Sequence, residues 1–128
     1  MNASSGELLN GVHVLVVEDD PAVRCFLNAT LTSAGALVTA AAAGDTESAA
    51  LTADVLVCGL TSVEATGPGF LDRLRRQHAR GHREVPAIAL LPPGASWGSA
   101  RAAGFQHYLA RPVAVDDLLA MVWILSRR

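Results

Sequence analysis

The sequence predicts an α/β fold in which a parallel five-stranded sheet carries helices on both faces. Three observations predict it. Apolar runs of strand length alternate with segments whose apolar residues recur at helical spacing. The first run, Val12–Val17, and a later one, Val55–Cys58, are almost unbroken in apolar residues, the pattern of strands covered from both sides. The chain has 128 residues, enough for one domain, and no linker or internal repeat divides it.

Each element has its own warrant. Val12–Val17 is interrupted only by His13 and runs into Glu18-Asp19-Asp20. Pro21 suits a first helical turn, where a missing N–H costs nothing, and the acids before it are natural caps. Val23, Phe26, Leu27, Thr30, Leu31 and Ala34 then recur at helical spacing, and Gly35 stops the helix. Ala36–Ala40 reads as a second strand, and Gly44–Leu51 as a short helix opened by Asp45 and Thr46. Val55–Cys58 is the third strand, and Gly67–His78 carries the third helix with Phe70, Leu71 and Leu74 facing inward. Val85–Leu91 forms the fourth strand, with Pro86 near its start.

Pro92-Pro93-Gly94 cannot begin a helix smoothly, so any fourth helix within Pro92–Ala103 is short. Phe105–Leu109 is the fifth strand. Val115–Leu125 is the last helix, with Leu118, Leu119, Val122 and Ile124 apolar and Asp116-Asp117 favourable at its positive end. Five strands joined by right-handed crossovers, with helices on both faces, fit the flavodoxin-like order 2-1-3-4-5 of a doubly wound (βα)5 sandwich. Residues 1–10 read as a loose tail and residues 11–128 as the domain. In this order the sheet reverses between its first and third strands, so Glu18, Asp19 and Gly59 converge at their carboxyl ends.

Composition removes several function classes. The chain is 51% apolar and 17% charged, which reads as globular. No apolar run reaches the roughly 18 residues of a membrane span. The N-terminus lacks a basic start and an apolar signal core, so a cytoplasmic location is expected. A net charge of −2 offers no general attraction to nucleic acid. All ten basic residues are arginine, and Arg73, Arg75, Arg76, His78, Arg80, His82 and Arg83 form the one basic concentration, read as a solvated helix end and loop, with a docking patch for an acidic partner as the alternative. Cys25 and Cys58 lack metal-type spacing and are expected to be reduced and buried. The four histidines give no zinc pattern, and no glycine-rich phosphate loop follows the first strand.

The acids after the first strand, the Asp54-Val55-Leu56-Val57-Cys58-Gly59-Leu60 segment with Gly67 beyond it, and the Tyr108-Leu109-Ala110-Arg111-Pro112 ending form one pattern. It resembles the receiver domain of bacterial two-component response regulators, from about Gly11 to Leu125. The resemblance implies a pocket in which two acids after the first strand help to hold Mg²⁺, and an acid after the third ligates the metal and takes a phosphoryl group from a histidine kinase. A Thr or Ser after the fourth strand and a Lys after the fifth then grip that group.

Matched position by position, Glu18 and Asp19 retain the acid pair, Gly59 falls at the phosphoacceptor, Leu91 at the hydroxyl and Arg111 at the lysine. Tyr108 falls at the aromatic switch position. The resemblance also implies a cis Arg111–Pro112 peptide that aims Arg111 into the pocket. Glycine offers neither nucleophile nor ligand and Leu91 cannot hydrogen-bond a phosphoryl oxygen. The expectation is therefore a degenerate receiver with no catalytic residue, no cofactor, and weak or lost Mg²⁺ binding at Glu18 and Asp19.

Such a module acts through a protein partner, a histidine kinase or another signalling protein, rather than through nucleic acid or membrane. The expected face is the fourth helix, Phe105–Leu109 and Val115–Leu125, which could also support a homodimer. The resemblance leaves two origins open, a stand-alone protein or a piece of a hybrid kinase. Two alternatives stand beside this reading: a receiver phosphorylated on a substitute acid, Glu64, and a small-ligand sensor built on the emptied pocket.

Overall fold

A computed structural model describes residues 8–43, 52–66, 69–76 and 85–127. Its five strands, β1 (His13–Val17), β2 (Leu37–Ala41), β3 (Val55–Gly59), β4 (Ala87–Leu91) and β5 (His107–Ala110), form one sheet in the order β2-β1-β3-β4-β5. Every pairing is parallel, with Val14 opposite Val55 and Gly59 opposite Leu90. The described helices are α1 (Pro21–Ser33), α2 (Leu60–Glu64), α3 (Phe70–Arg76), α4 (Trp97–Ala102) and α5 (Val115–Ser126). The strand order is the flavodoxin-like one that the sequence predicts.

Side chains in a strand alternate between faces, so the three central strands feed two separate cores. Leu15, Val17, Leu56, Cys58, Ala87, Ala89 and Leu91 pack with Leu60 and Val63 of α2, Phe70, Leu71 and Leu74 of α3, and Ala100 of α4. On the other face Val14, Val16, Val55, Val57, Ile88 and Leu90 meet Leu27 and Leu31 of α1 and Leu118, Leu119, Val122 and Leu125 of α5. Truncating a buried leucine such as Leu31 to alanine would cost about 2–5 kcal/mol, which makes these helices integral to the sheet.

Several expectations change. Leu9, assigned to the loose tail, is fully buried and donates its N–H to Ala34 O at 2.8 Å, so the domain already includes it. Phe26 belongs to the apolar stripe of α1 but is 46% exposed, because Leu27 and Leu31 take the inward face. In α5 the inward residue is Leu125, whereas Ile124 is exposed. Cys25 is exposed rather than buried.

Strand β4 starts at Ala87, since Pro86 has no N–H and contributes only its carbonyl, to Leu56 N at 2.9 Å. Strand β5 starts two residues later than expected: Phe105 is buried, but its N–H bonds back to Ala100 O. The short α2 was not foreseen at all. The expected helix Gly44–Leu51 and the end of Gly67–His78 lie outside the described residues, as do His78, Arg80, His82 and Arg83 of the basic concentration. Arg75 of that group is committed inward, with Nε and Nη2 donating to Val85 O at 3.0 and 2.9 Å.

Candidate functional site

The reversal of strand order between β1 and β3 leaves a cleft of about 480 Å³ at their carboxyl ends. Glu18, Asp19 and Asp20 come from the turn after β1, Gly59 from the end of β3, Thr61, Ser62 and Ala65 from α2 and its end, and Pro92 and Pro93 from the turn after β4. Arg111 follows β5, and Val23 of α1 closes one side. The three polar groups that the sequence sends here, Glu18, Asp19 and Arg111, therefore do converge with Gly59.

Local chemistry fixes each of them. Asp20 caps α1, its Oδ1 accepting from Ala22 N at 2.9 Å, and Pro21 supplies the first helical residue. Arg24, one turn into the helix, donates from Nη1 to Glu18 O at 2.8 Å and pins the strand-to-helix turn. Asp19 Oδ1 accepts from Ala43 N at 2.9 Å, which ties the turn to the end of β2.

Glu18 is a buried carboxylate with three donors. Arg111 Nη2 reaches Oε1 at 2.9 Å, while Asp20 N and Ser62 Oγ reach Oε2 at 3.0 and 3.3 Å. The same Ser62 hydroxyl accepts from Asp19 N at 2.9 Å, so it bridges α2 to the β1 turn. Charge-assisted hydrogen bonds of this kind are roughly twice as strong as neutral ones. Removing either charge of a buried pair typically costs about 3–5 kcal/mol, because the other stays behind desolvated. Arg111 Nε is itself buried with no hydrogen-bond partner among the described residues.

Gly59 explains how the carboxylate fits. Its backbone (φ −65, ψ 124) is ordinary extended chain that any residue could adopt. A Cβ built on it would stand inside contact distance of Glu18 Oε1, 3.1 Å from Glu18 Cδ and 3.4 Å from Ser62 Oγ. Space, not conformation, is what favours glycine here. Beneath it, Cys58 is buried, and desolvation raises its thiol from 9.0 to about 12, with Arg75 opposing and Glu18 adding to the rise.

The remaining expected positions lie outside the cleft. Leu91 ends β4 but its side chain belongs to the core; only its carbonyl takes part, accepting from Arg111 N at 3.1 Å. The Arg111–Pro112 peptide is cis and Arg111 turns inward to Glu18, both as expected. Tyr108 points outward, 45% exposed, with its ring stacked on Trp97 at 4.8 Å between centroids. Glu64 is exposed on α2 and is not among the residues lining the cleft.

Ser62 was missed. A polar residue between the apolar Leu60 and Val63, just after a strand end, was the available signal. The donor set does not fit a hard cation such as Mg²⁺, which needs free oxygens in near-octahedral array. Glu18 is engaged with Arg111, Asp19 with Ala43, and Gly59 has no ligand; among the described residues no group of three His, Cys, Asp or Glu could hold a metal.

A five-stranded 2-1-3-4-5 sheet with acids after β1 and a cation after β5 defines a receiver-type α/β domain. No family model matches the chain. It is similar to the transcriptional regulatory protein TcrA of Mycobacterium tuberculosis, 33% identical over 132 residues that cover 94% of this chain and 48% of TcrA. The chain thus spans about half the length of the curated relatives it matches. A putative response regulator from Chloroflexus aurantiacus superposes with a TM-score of 0.67 at 25% identity, over 91% of this chain and 98% of that one. A receiver domain from Clostridium thermocellum shares the fold, with a TM-score of 0.74 at 18% identity over 91% of this chain and 95% of that one. In fold and in sequence the chain is similar to response-regulator receiver domains.

Proposed function

We propose that this domain is a degenerate receiver that signals by protein–protein interaction without phosphorylation of an aspartate. One observation carries the reading: Gly59 stands at the phosphoacceptor position, and the space of its absent side chain holds the Glu18 carboxylate. With no nucleophile at Gly59 and no hydroxyl at Leu91, the cleft lacks both the acceptor after the third strand and the hydroxyl after the fourth that a receiver uses for phosphoryl transfer. Mg²⁺ binds weakly or not at all, and the domain is not an enzyme.

Its output is the binding of a protein partner in the cytoplasm, a histidine kinase or another signalling protein, and not of nucleic acid or membrane. Among the described residues no helix is long and apolar enough to cross a membrane. The partner face is α4, β5 and α5, where Tyr108 and Val115 are exposed beside the partly buried Trp97. This face also serves any homodimer.

Acetyl phosphate with Mg²⁺, followed by intact-mass spectrometry, tests the reading. No acid-labile phosphoryl adduct is expected. A stoichiometric adduct on any carboxylate, Glu64 included, refutes it. The substitute-acceptor alternative is disfavoured by the position of Glu64 outside the cleft, and the small-ligand alternative by the internal engagement of Glu18 and Arg111.

A further inference from the structure

The Glu18 carboxylate sits in what is chemically an oxyanion site. Three donors from three different parts of the chain converge on it: Arg111 Nη2 after β5, the Asp20 N–H at the start of α1, and the Ser62 hydroxyl on α2. The site also has a floor made for it, because the bare Cα of Gly59 leaves room that any side chain would fill. One wall opens on the 480 Å³ cleft, lined by the same residues.

We propose that Glu18 is the resident ligand of this oxyanion site, a group supplied by the chain itself that keeps Arg111 engaged and excludes external anions. The proposal deepens the reading above and rests on it for the role of Gly59. The orphaned Arg111 Nε sharpens the argument. Among the described residues one guanidinium donor is already buried and unpaired, so losing Glu18 would leave a largely buried cation without its carboxylate partner. A small carboxylate from solution then has a charge, two further donors and a cavity of the right shape waiting for it. Asp19 and Asp20 at the rim repel anions, so external binding emerges only once the Glu18 charge is removed.

The experiment is chemical rescue with acetate, which cannot phosphorylate and so separates this proposal from the phosphodonor test. Wild type, Glu18→Ala and Glu18→Ala/Arg111→Gln are each titrated with sodium acetate at constant ionic strength, with chloride as control. Glu18→Ala is expected to melt roughly 10 °C or more below wild type. Acetate should recover part of that loss saturably, with amide shifts centred on Asp20, Gly59, Ser62 and Arg111. Wild type and the double variant should not respond. A folded Glu18→Ala that ignores acetate, or a wild type that responds equally, overturns the proposal.

If Glu18→Ala does not fold, side-chain hydrogen exchange on wild type decides. Arg111 guanidinium protons should exchange at least about tenfold more slowly than those of the exposed Arg101 and Arg127. Equal rates overturn the proposal. Phosphorylation in the mass-spectrometric test alongside successful acetate rescue would instead remove the degenerate-receiver reading and leave the oxyanion site standing.

Discussion

Replacing Gly59 by alanine separates two physical effects that predict opposite signs. Judged by backbone alone, the change should stabilise. Gly59 lies at φ −65, where alanine is unstrained, and the smaller entropy of the unfolded alanine chain is worth about 0.4–1 kcal/mol. Judged by space, it should destabilise, since the new methyl would collide with Glu18 Oε1 and crowd Glu18 Cδ at 3.1 Å. The methyl has no give beneath it, because it is attached to a strand paired on both sides, so Glu18 must move.

Moving Glu18 weakens its contacts to Arg111, Asp20 N and Ser62 together. Overpacking typically costs about 1–3 kcal/mol, and breaking a buried ion pair about 3–5 kcal/mol. The steric effect wins, and Gly59→Ala is expected to lose about 1–3 kcal/mol net. Urea unfolding at constant m-value measures it. The decisive control is the same substitution in a Glu18→Ala background, where the obstruction is gone and Gly59→Ala should be neutral or stabilising by about 0.4–1 kcal/mol. A stabilised single variant, or a cost that persists without Glu18, would refute the claim that these two residues share one space.

Four further outcomes follow from the same geometry. In native protein an aromatic disulfide reagent should titrate Cys25 quickly and leave Cys58 unmodified until the domain unfolds. Because burial holds the Cys58 thiol protonated to about 12 while an unfolded thiol ionises from 9.0, its contribution to stability is complete below pH 9.0 and falls as pH rises above it; Cys58→Ala should flatten the alkaline limb of the stability profile. Asp20→Ala should cost about 0.5–2 kcal/mol by removing the cap of α1, measured by urea unfolding. Tyr108→Ala should raise Trp97 emission by removing its stacked neighbour, cost about 0.5–1.5 kcal/mol, and weaken retention of a partner that binds the α4–β5–α5 face.

The succession of strands and helices was legible in the sequence from local patterns, while the order of the sheet and the meeting of Glu18, Asp19, Gly59 and Arg111 came from the resemblance to receivers that those patterns supported. Strand ends and cap residues are local signals, and the topology carries them to one place. What was not legible depends on rotation or on small spaces. Leu91 ends β4 as expected, yet strand alternation turns its side chain into the core and leaves only its carbonyl near Arg111. Ile124 and Leu125 are neighbours in an apolar stretch, and only the packing of α5 decides which is covered.

The five residues of α2 are too few to show a helical period, so the helix was not foreseen, nor was the bridging role of its Ser62 hydroxyl. The start of β5 slipped because Phe105 looks like a strand residue, although its burial comes from packing beside α4 and not from pairing with β4. Leu9 was lost to the tail because two adjacent leucines, Leu8 and Leu9, give no periodic signal.

The bond between Glu18 and Arg111 closes a loop of 93 positions, one of the longest separations the fold can offer. Bringing such distant partners together requires β1, β3, β4 and β5 to be aligned first, since parallel strands are joined only through their crossovers. The pair is therefore expected among the last contacts to form and the first to break, which Glu18→Ala should show as faster unfolding with little change in the folding rate. An interaction absent from the folding transition state leaves the rate of folding almost unchanged and acts on the rate of unfolding. In kinetic terms the cleft is a latch: it contributes little to finding the native structure and much to how long the structure lasts once found.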